Sequence, residues 1–126
     1  MNPGFWYNKK IMITGHTGFK GSWLCLWLNK MGAKISGLSL QEPVSAPNMF
    51  SVLSIEGLVN EFRGDITVFD VCLEAIKKHE PEIVFHMAAQ PLVRKSYSSP
   101  LETYKTNVIG TANILEATKN CNSVKS

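Results

Sequence analysis

Long apolar runs are missing from this 126-residue sequence. None approaches the roughly 20 residues that a membrane-spanning helix needs. The first ten residues carry no apolar segment of the kind that directs secretion. Cysteine is scarce: Cys25, Cys72 and Cys121 are scattered and odd in number. That pattern suits neither a disulfide frame nor a zinc site, and it predicts a reducing, cytoplasmic setting. Charge is also thin, at 18% of residues and a net +3 spread along the chain. The densest basic stretch, Lys77-Lys78-His79, falls at the end of an apolar helical pattern, where cations complement the helix dipole. Nucleic acid, membrane and metal therefore drop out as expected partners.

What remains is the composition of an ordinary globular domain, 44% hydrophobic. Strands are predicted at 10–14, 34–38, 58–63 and 82–87, and helices at 19–31, 68–79 and 100–119. A loop with Pro43 and Pro47 and a short helical turn near 48–54 separate the second and third strands. Gly32 caps the first helix, and Pro81 lies just beyond the next long one. Ser99-Pro100-Leu101-Glu102 supplies an N-cap serine, a proline at the first helical position and a glutamate three residues after the cap. Phe19, Trp23, Leu24, Trp27, Leu28 and Met31 recur at helical spacing, so both tryptophans read as core. Strand and helix alternate four times without internal repeat. This predicts an α/β domain of Rossmann type: a parallel sheet in the order 3-2-1-4, with right-handed crossovers and helices on both faces. Ile83-Val84-Phe85, apolar at every position, predicts a fourth strand covered on both sides.

The chemistry concentrates where the first strand gives way to the first helix, in Thr14-Gly15-His16-Thr17-Gly18-Phe19-Lys20-Gly21. Gly15 permits a tight turn, Gly18 lets the backbone approach a pyrophosphate, and Gly21 lets the helix lie close on the strand. Free N–H groups and the positive end of the helix dipole then face the phosphates. A Walker-type loop requires Gly-Lys-Ser/Thr; here Lys20 precedes Gly21, which excludes nucleoside-triphosphate hydrolysis. Asp65 and Ile66 follow the third strand at the edge where ligands bind. The Asp65 carboxylate suits an adenine amino group, or else it caps a turn. Ala88 and Ala89, after the fourth strand, either leave room for a ribose or pack tightly. His86 reads as a satisfied core histidine and His16 as a solvated loop residue. Asn107 and Gly110 go against helix propensity within the last helix. A buried Asn107 needs partners; it either serves a reaction centre or bridges helix and strand.

Together these segments resemble the extended short-chain dehydrogenase/reductases, and among them the CDP-glucose 4,6-dehydratases. The resemblance lies in 14–24, 83–94 and 103–111, with Phe5-Trp6 and Pro47-Asn48-Met49-Phe50 in support. It implies a hydro-lyase acting on a nucleotide-linked hexose, with NAD recycled in each turnover. In that chemistry a hydride leaves sugar C4 for NAD⁺, the ketone acidifies the C5 proton, water is lost across C5 and C6, and the hydride returns at C6. CDP-glucose would become CDP-4-keto-6-deoxyglucose, a precursor of surface-polysaccharide deoxysugars such as those of lipopolysaccharide O-antigen. By motif match, Gly15, Thr17, Gly18, Phe19 and Lys20 would cradle the pyrophosphate. Asp65 and Ile66 would hold adenine, and Ala88, Ala89 and Gln90 would line the ribose and nicotinamide side. Asn107 would support the site and Arg94 would face substrate. No carboxylate ends the second strand, where Ser39 and Leu40 stand and Glu42 is nearest. The choice of NAD over NADP therefore rests on the family, and the absence of a nearby arginine agrees with it.

The family's catalytic Tyr-x-x-x-Lys is absent: Ile11, Leu101 and Val108 stand four residues after Tyr7, Tyr97 and Tyr104. Without that tyrosine base and its lysine, the 126 residues alone are expected to be inactive. They read as the N-terminal cofactor-binding half of a longer polypeptide, with the substrate lobe elsewhere. The fourth strand would present a bare edge, which makes the piece marginally stable. A homo-oligomer through the 100–119 helix is expected. The alternatives are a nucleotide-sugar epimerase or reductase fragment, a non-catalytic dinucleotide-binding module, and a pure assembly element.

Overall fold

The apolar run at the start of the chain becomes the centre of a sheet. In the computed structural model, which describes residues 3–42 and 46–126, a short helix α1 (Pro3–Trp6) leads into β1 (Lys10–Thr14). Then follow α2 (Phe19–Lys30), β2 (Lys34–Ser39), α3 (Met49–Val52), β3 (Val59–Arg63), α4 (Phe69–His79) and β4 (Ile83–His86). The chain continues through α5 (Val93–Ser98), α6 (Pro100–Tyr104), a π-helical stretch (Lys105–Ile109) and α7 (Gly110–Lys119). All strand pairs are parallel and the order is β3-β2-β1-β4, as predicted. Ile11 stands opposite both Ile35 and Ile83, and Ile35 opposite Val59.

Because strand side chains alternate, β1 feeds two cores. Ile11 and Ile13 join Cys25, Leu28, Ile35, Phe50, Ile55 and Val59 beneath α2 and α3. Met12 joins Leu38, Ile66, Cys72, Ala75, Ile76, Ile114 and Ala117 beneath α4 and α7. Helices thus cover both faces. No helix among the described residues is long and apolar enough to cross a membrane. The buried thiols Cys25 and Cys72 are raised by desolvation to about 12 and about 11, as expected of inert packing residues. All three cysteines are free.

Four expectations need correction. First, α2 lies on the sheet through Gly21, Ser22, Cys25 and Leu28, mostly small residues that permit close approach. Its large aromatics point the other way: Phe19, Trp23 and Trp27 are 65%, 47% and 53% exposed. With Leu24, Leu26 and Met87 they line an open apolar groove of about 600 Å³, rimmed by Lys20 and Lys30. Second, β4 is half-buried along its whole length rather than fully covered, because it is an edge strand of the sheet. Third, the outer edge of β4 is not entirely bare. Lys125 N–H donates to the Glu82 carbonyl and Val84 N–H to the Ser126 carbonyl, each at 2.8 Å. Fourth, Ser99 precedes Pro100 as expected but makes no side-chain cap, and Glu102 pairs with Lys95 at 2.8 Å instead. Asn48, by contrast, caps α3 by accepting Ser51 N–H. The expected loop proline Pro43 lies outside the described residues.

Candidate functional site

The ends of β1 and β4 and the start of α2 converge at the carboxyl edge of the sheet. Gly15 turns the chain at φ +72°, and a Cβ there would lie 2.8 Å from the Ala88 backbone. A Cβ on Gly21 would lie 2.3 Å from the Gly15 carbonyl oxygen. Only glycine fits either position. Gly18 N–H donates to the Gly15 carbonyl at 3.0 Å, closing the turn. Gly18 is also the N-cap of α2; it offers no side-chain cap, and the first turn holds no acidic residue. The leading helix amides are thus left to an anion. A depression of about 250 Å³ opens beside them, between Thr17, Gly18, Phe19 and the segment from Pro47 to Val52.

On the β4 side of the turn lies a neutral chain of hydrogen bonds. Thr14 Oγ1 accepts Met87 N–H and Ala88 N–H, both at 3.1 Å. Its own proton is then available only to His86 Nδ1, 2.7 Å away. His86 Nε2–H donates to Thr111 Oγ1 at 3.0 Å, and Thr111 donates to the Asn107 carbonyl at 2.7 Å. Asn107 in turn grips the Gln90 backbone with both ends of its amide: Nδ2 donates to Gln90 O at 3.1 Å, and Oδ1 accepts Gln90 N–H at 2.8 Å. Burial lowers the pKa of His86, in keeping with a neutral ring. His86 is satisfied at both ring nitrogens, as expected, but half-buried and not part of either core, and Asn107 bridges the last helix and the loop after β4.

On the β2–β3 side the cluster is charged. His16 is fully buried, which corrects the expectation of a solvated residue. The absence of a side chain at Gly37 makes room for it: a Cβ there would fall 2.3 Å from the imidazole. His16 Nδ1 lies 2.9 Å from Ser39 Oγ, and Nε2 lies 3.2 Å from Glu61 Oε2. Thr17 N–H donates to Ser39 Oγ at 3.4 Å. Glu61 also pairs with Arg63, whose Nη1 donates to the Leu40 carbonyl at 3.1 Å. Desolvation lowers the pKa of His16 against the opposing pull of Glu61. A neutral ring facing a carboxylate must carry its proton on Nε2, so Ser39 donates to Nδ1.

The remaining expected residues fall along the same edge. Thr17 is buried, while Phe19 and Lys20 are exposed. Asp65 accepts Thr67 N–H through Oδ1 at 2.8 Å, a turn contact. Ile66 packs into the core against Gly110, and its carbonyl accepts from Asn113 Nδ2 at 2.9 Å. Ala89 is exposed. The Gln90 side chain folds back, donating to Thr103 Oγ1 at 3.0 Å and accepting Leu92 N–H at 2.7 Å. Arg94 is exposed on α5.

The model of the family described as GDP-mannose 4,6 dehydratase matches residues 12–126. The chain belongs to the GDP-mannose 4,6-dehydratase family. One relative, CDP-glucose 4,6-dehydratase of Salmonella typhimurium, is 48% identical over 99% of this chain. Among solved structures, an epimerase from Methanothermobacter thermautotrophicus superposes over 97% of this chain with a TM-score of 0.82 at 24% identity, and it covers 34% of that chain. UDP-glucose 4-epimerase of Thermus thermophilus, solved in complex with NAD, superposes over 87% with a TM-score of 0.77 at 27% identity, covering 33% of that chain. The chain spans about a third of the length of the curated relatives it matches, 34% for the Salmonella protein.

In this member of the GDP-mannose 4,6-dehydratase family, the residues of this cluster that sequence reasoning missed are Glu61 and Arg63, and Ser39 was read only as a position without a carboxylate. One signal was available. Glu61 and Arg63 alternate on a strand and so share a face, and Arg63 is in register with Ser39.

Proposed function

We propose that this chain is the N-terminal, NAD-binding part of a nucleotide-sugar 4,6-dehydratase acting on CDP-glucose. The carrying observation is the turn at Gly15. Gly15 before α2 and Gly21 in its first turn stand where a Cβ has no room, and the helix start between them has no side-chain cap, the kind of cradle a dinucleotide pyrophosphate requires. The 48% identity to CDP-glucose 4,6-dehydratase supports the substrate, and the NAD of the Thermus epimerase supports the coenzyme. NAD⁺ would supply a hydride acceptor for sugar C4, and the NADH so formed a hydride donor for C6.

In this reading Gly15, Thr17, Gly18, Phe19 and Lys20 hold the pyrophosphate, and the ammonium of Lys20 adds charge from solvent. Asp65 offers its second carboxylate oxygen to adenine, and Ile66 walls that end from the core. The backbone of Ala88, Ala89 and Gln90, clamped by Thr14 and Asn107, forms the floor under ribose and nicotinamide. Arg94 faces the nucleotide sugar. A Tyr-x-x-x-Lys pair is not among these 126 residues, so proton transfer falls to the rest of a longer polypeptide. The exposed Trp23–Trp27 groove favours such a polypeptide, since apolar surfaces of this kind are commonly covered. Leu101, Tyr104, Val108 and Leu115, exposed along one helical run, favour a homo-oligomer. The setting is cytoplasmic and the product serves surface-polysaccharide synthesis.

Calorimetric titration of NAD⁺ into the chain tests the coenzyme reading, with saturable binding expected. The whole polypeptide, given CDP-glucose, is expected to yield a product lighter by one water in mass spectrometry. Absence of coenzyme binding in both overturns the reading.

A further inference from the structure

The carboxyl end of the second strand is where a doubly wound domain meets the adenosine ribose, about 20 residues beyond the glycine turn. A carboxylate there selects the free 2′-hydroxyl of NAD, and an arginine accommodates the 2′-phosphate of NADP. In this chain β2 supplies only Ser39 and Leu40 at that point. The neighbouring strand supplies both charges instead. Arg63, in register with Ser39, reaches across to the Leu40 carbonyl at 3.1 Å. Its guanidinium lies 5.6 Å from the centroid of the Phe50 ring and is ion-paired with Glu61. The two side chains are 24% and 22% exposed. Glu61 is fixed further by His16 Nε2 at 3.2 Å. A cation and an anion thus stand together beside the last residues of β2, and each cancels the other.

We propose that the Glu61–Arg63 pair sets this chain's choice between NAD and NADP. The inference rests on the dinucleotide reading above. While Glu61 holds the guanidinium, a 2′-phosphate must break a partly buried ion pair to reach it, which is costly. The Glu61 carboxylate also repels the phosphate. A 2′-hydroxyl meets neither obstacle, so NAD is preferred. Arg63 is a latent phosphate site kept closed by its neighbour.

The test measures dissociation constants for NAD⁺ and NADP⁺ by calorimetry in the whole polypeptide, as wild type, Glu61→Gln and Arg63→Gln. Glu61→Gln frees the guanidinium and is expected to move the preference toward NADP⁺ by about tenfold or more. Arg63→Gln leaves the carboxylate without its counter-ion and is expected to move the preference toward NAD⁺. Shifts of opposite sign separate discrimination from general loosening, which weakens both coenzymes alike. An unchanged ratio in either folded variant overturns the proposal, and if one variant does not fold, the other decides. Failure of the wild type to bind either coenzyme overturns the dinucleotide reading itself.

Discussion

The two polar clusters that flank the glycine turn are built to different rules. On the β4 side every partner is neutral, and the order of donors is dictated by the backbone. Two amides occupy the lone pairs of Thr14, which leaves one direction for each proton as far as Asn107. On the β2–β3 side one carboxylate, Glu61, serves an imidazole and a guanidinium at once. That cluster is arranged by charge, and its geometry depends on ionisation. One side of the site is therefore fixed by stereochemistry. The other can respond to the charge of whatever binds beside it.

The largest effect that would break this contrast is expected from Thr14→Val. It strands the Ala88 N–H and His86 Nδ1, each worth about 1–3 kcal/mol without a partner, while Met87 N–H keeps the Thr14 carbonyl at 3.2 Å. Urea denaturation should show a loss of about 2–5 kcal/mol. Gly37→Ala attacks the charged side by driving a methyl group into the His16 ring. Overpacking of this kind costs about 1–3 kcal/mol, and NMR shifts should move at His16 and Glu61 and spare His86.

The smallest effect is the pH response. His16, His79 and His86 all have folded pKa values lowered chiefly by burial. The unfolded state therefore binds more protons below the ordinary histidine pKa of about 6.5. Their contribution to stability is complete above that pH and is lost as pH falls through the folded values. Thermal melts from pH 7 to pH 5 should decline, and His86→Gln should flatten the decline. An unaltered slope in His86→Gln would mean that the neutral chain does not resist protonation.

The sheet order and the turn were legible because each depends on neighbours in sequence: an apolar strand, a glycine, an apolar helix. The burial of His16 was not, because it depends on the missing side chain of Gly37, one strand away. The tryptophans misled for a related reason. α2 is apolar around most of its circumference, so periodicity could not reveal which stripe faces the sheet. The stripe of small residues won, since Gly21 must sit against the Gly15 carbonyl. The site residues at 15–21 and 86–90 share an edge as their positions implied. The clamp between Asn107 and Gln90 was visible only as a propensity anomaly. Arg63 was overlooked because nearness to β2 was sought along the chain instead of across it.

The π-helical stretch at Lys105–Ile109 has a mechanical corollary. Each residue of an ordinary helix advances the azimuth by about 100°, and a π turn absorbs an additional residue without breaking the rod. Ile114 and Ala117 are seated in the core, so they hold the downstream half in phase. Deleting one residue within the bulge would spin the upstream half against that anchor and unhook Asn107 from the loop it clasps. A change in chain length here would thus be felt first at the Gln90 backbone that Asn107 clamps, while the core stayed in place.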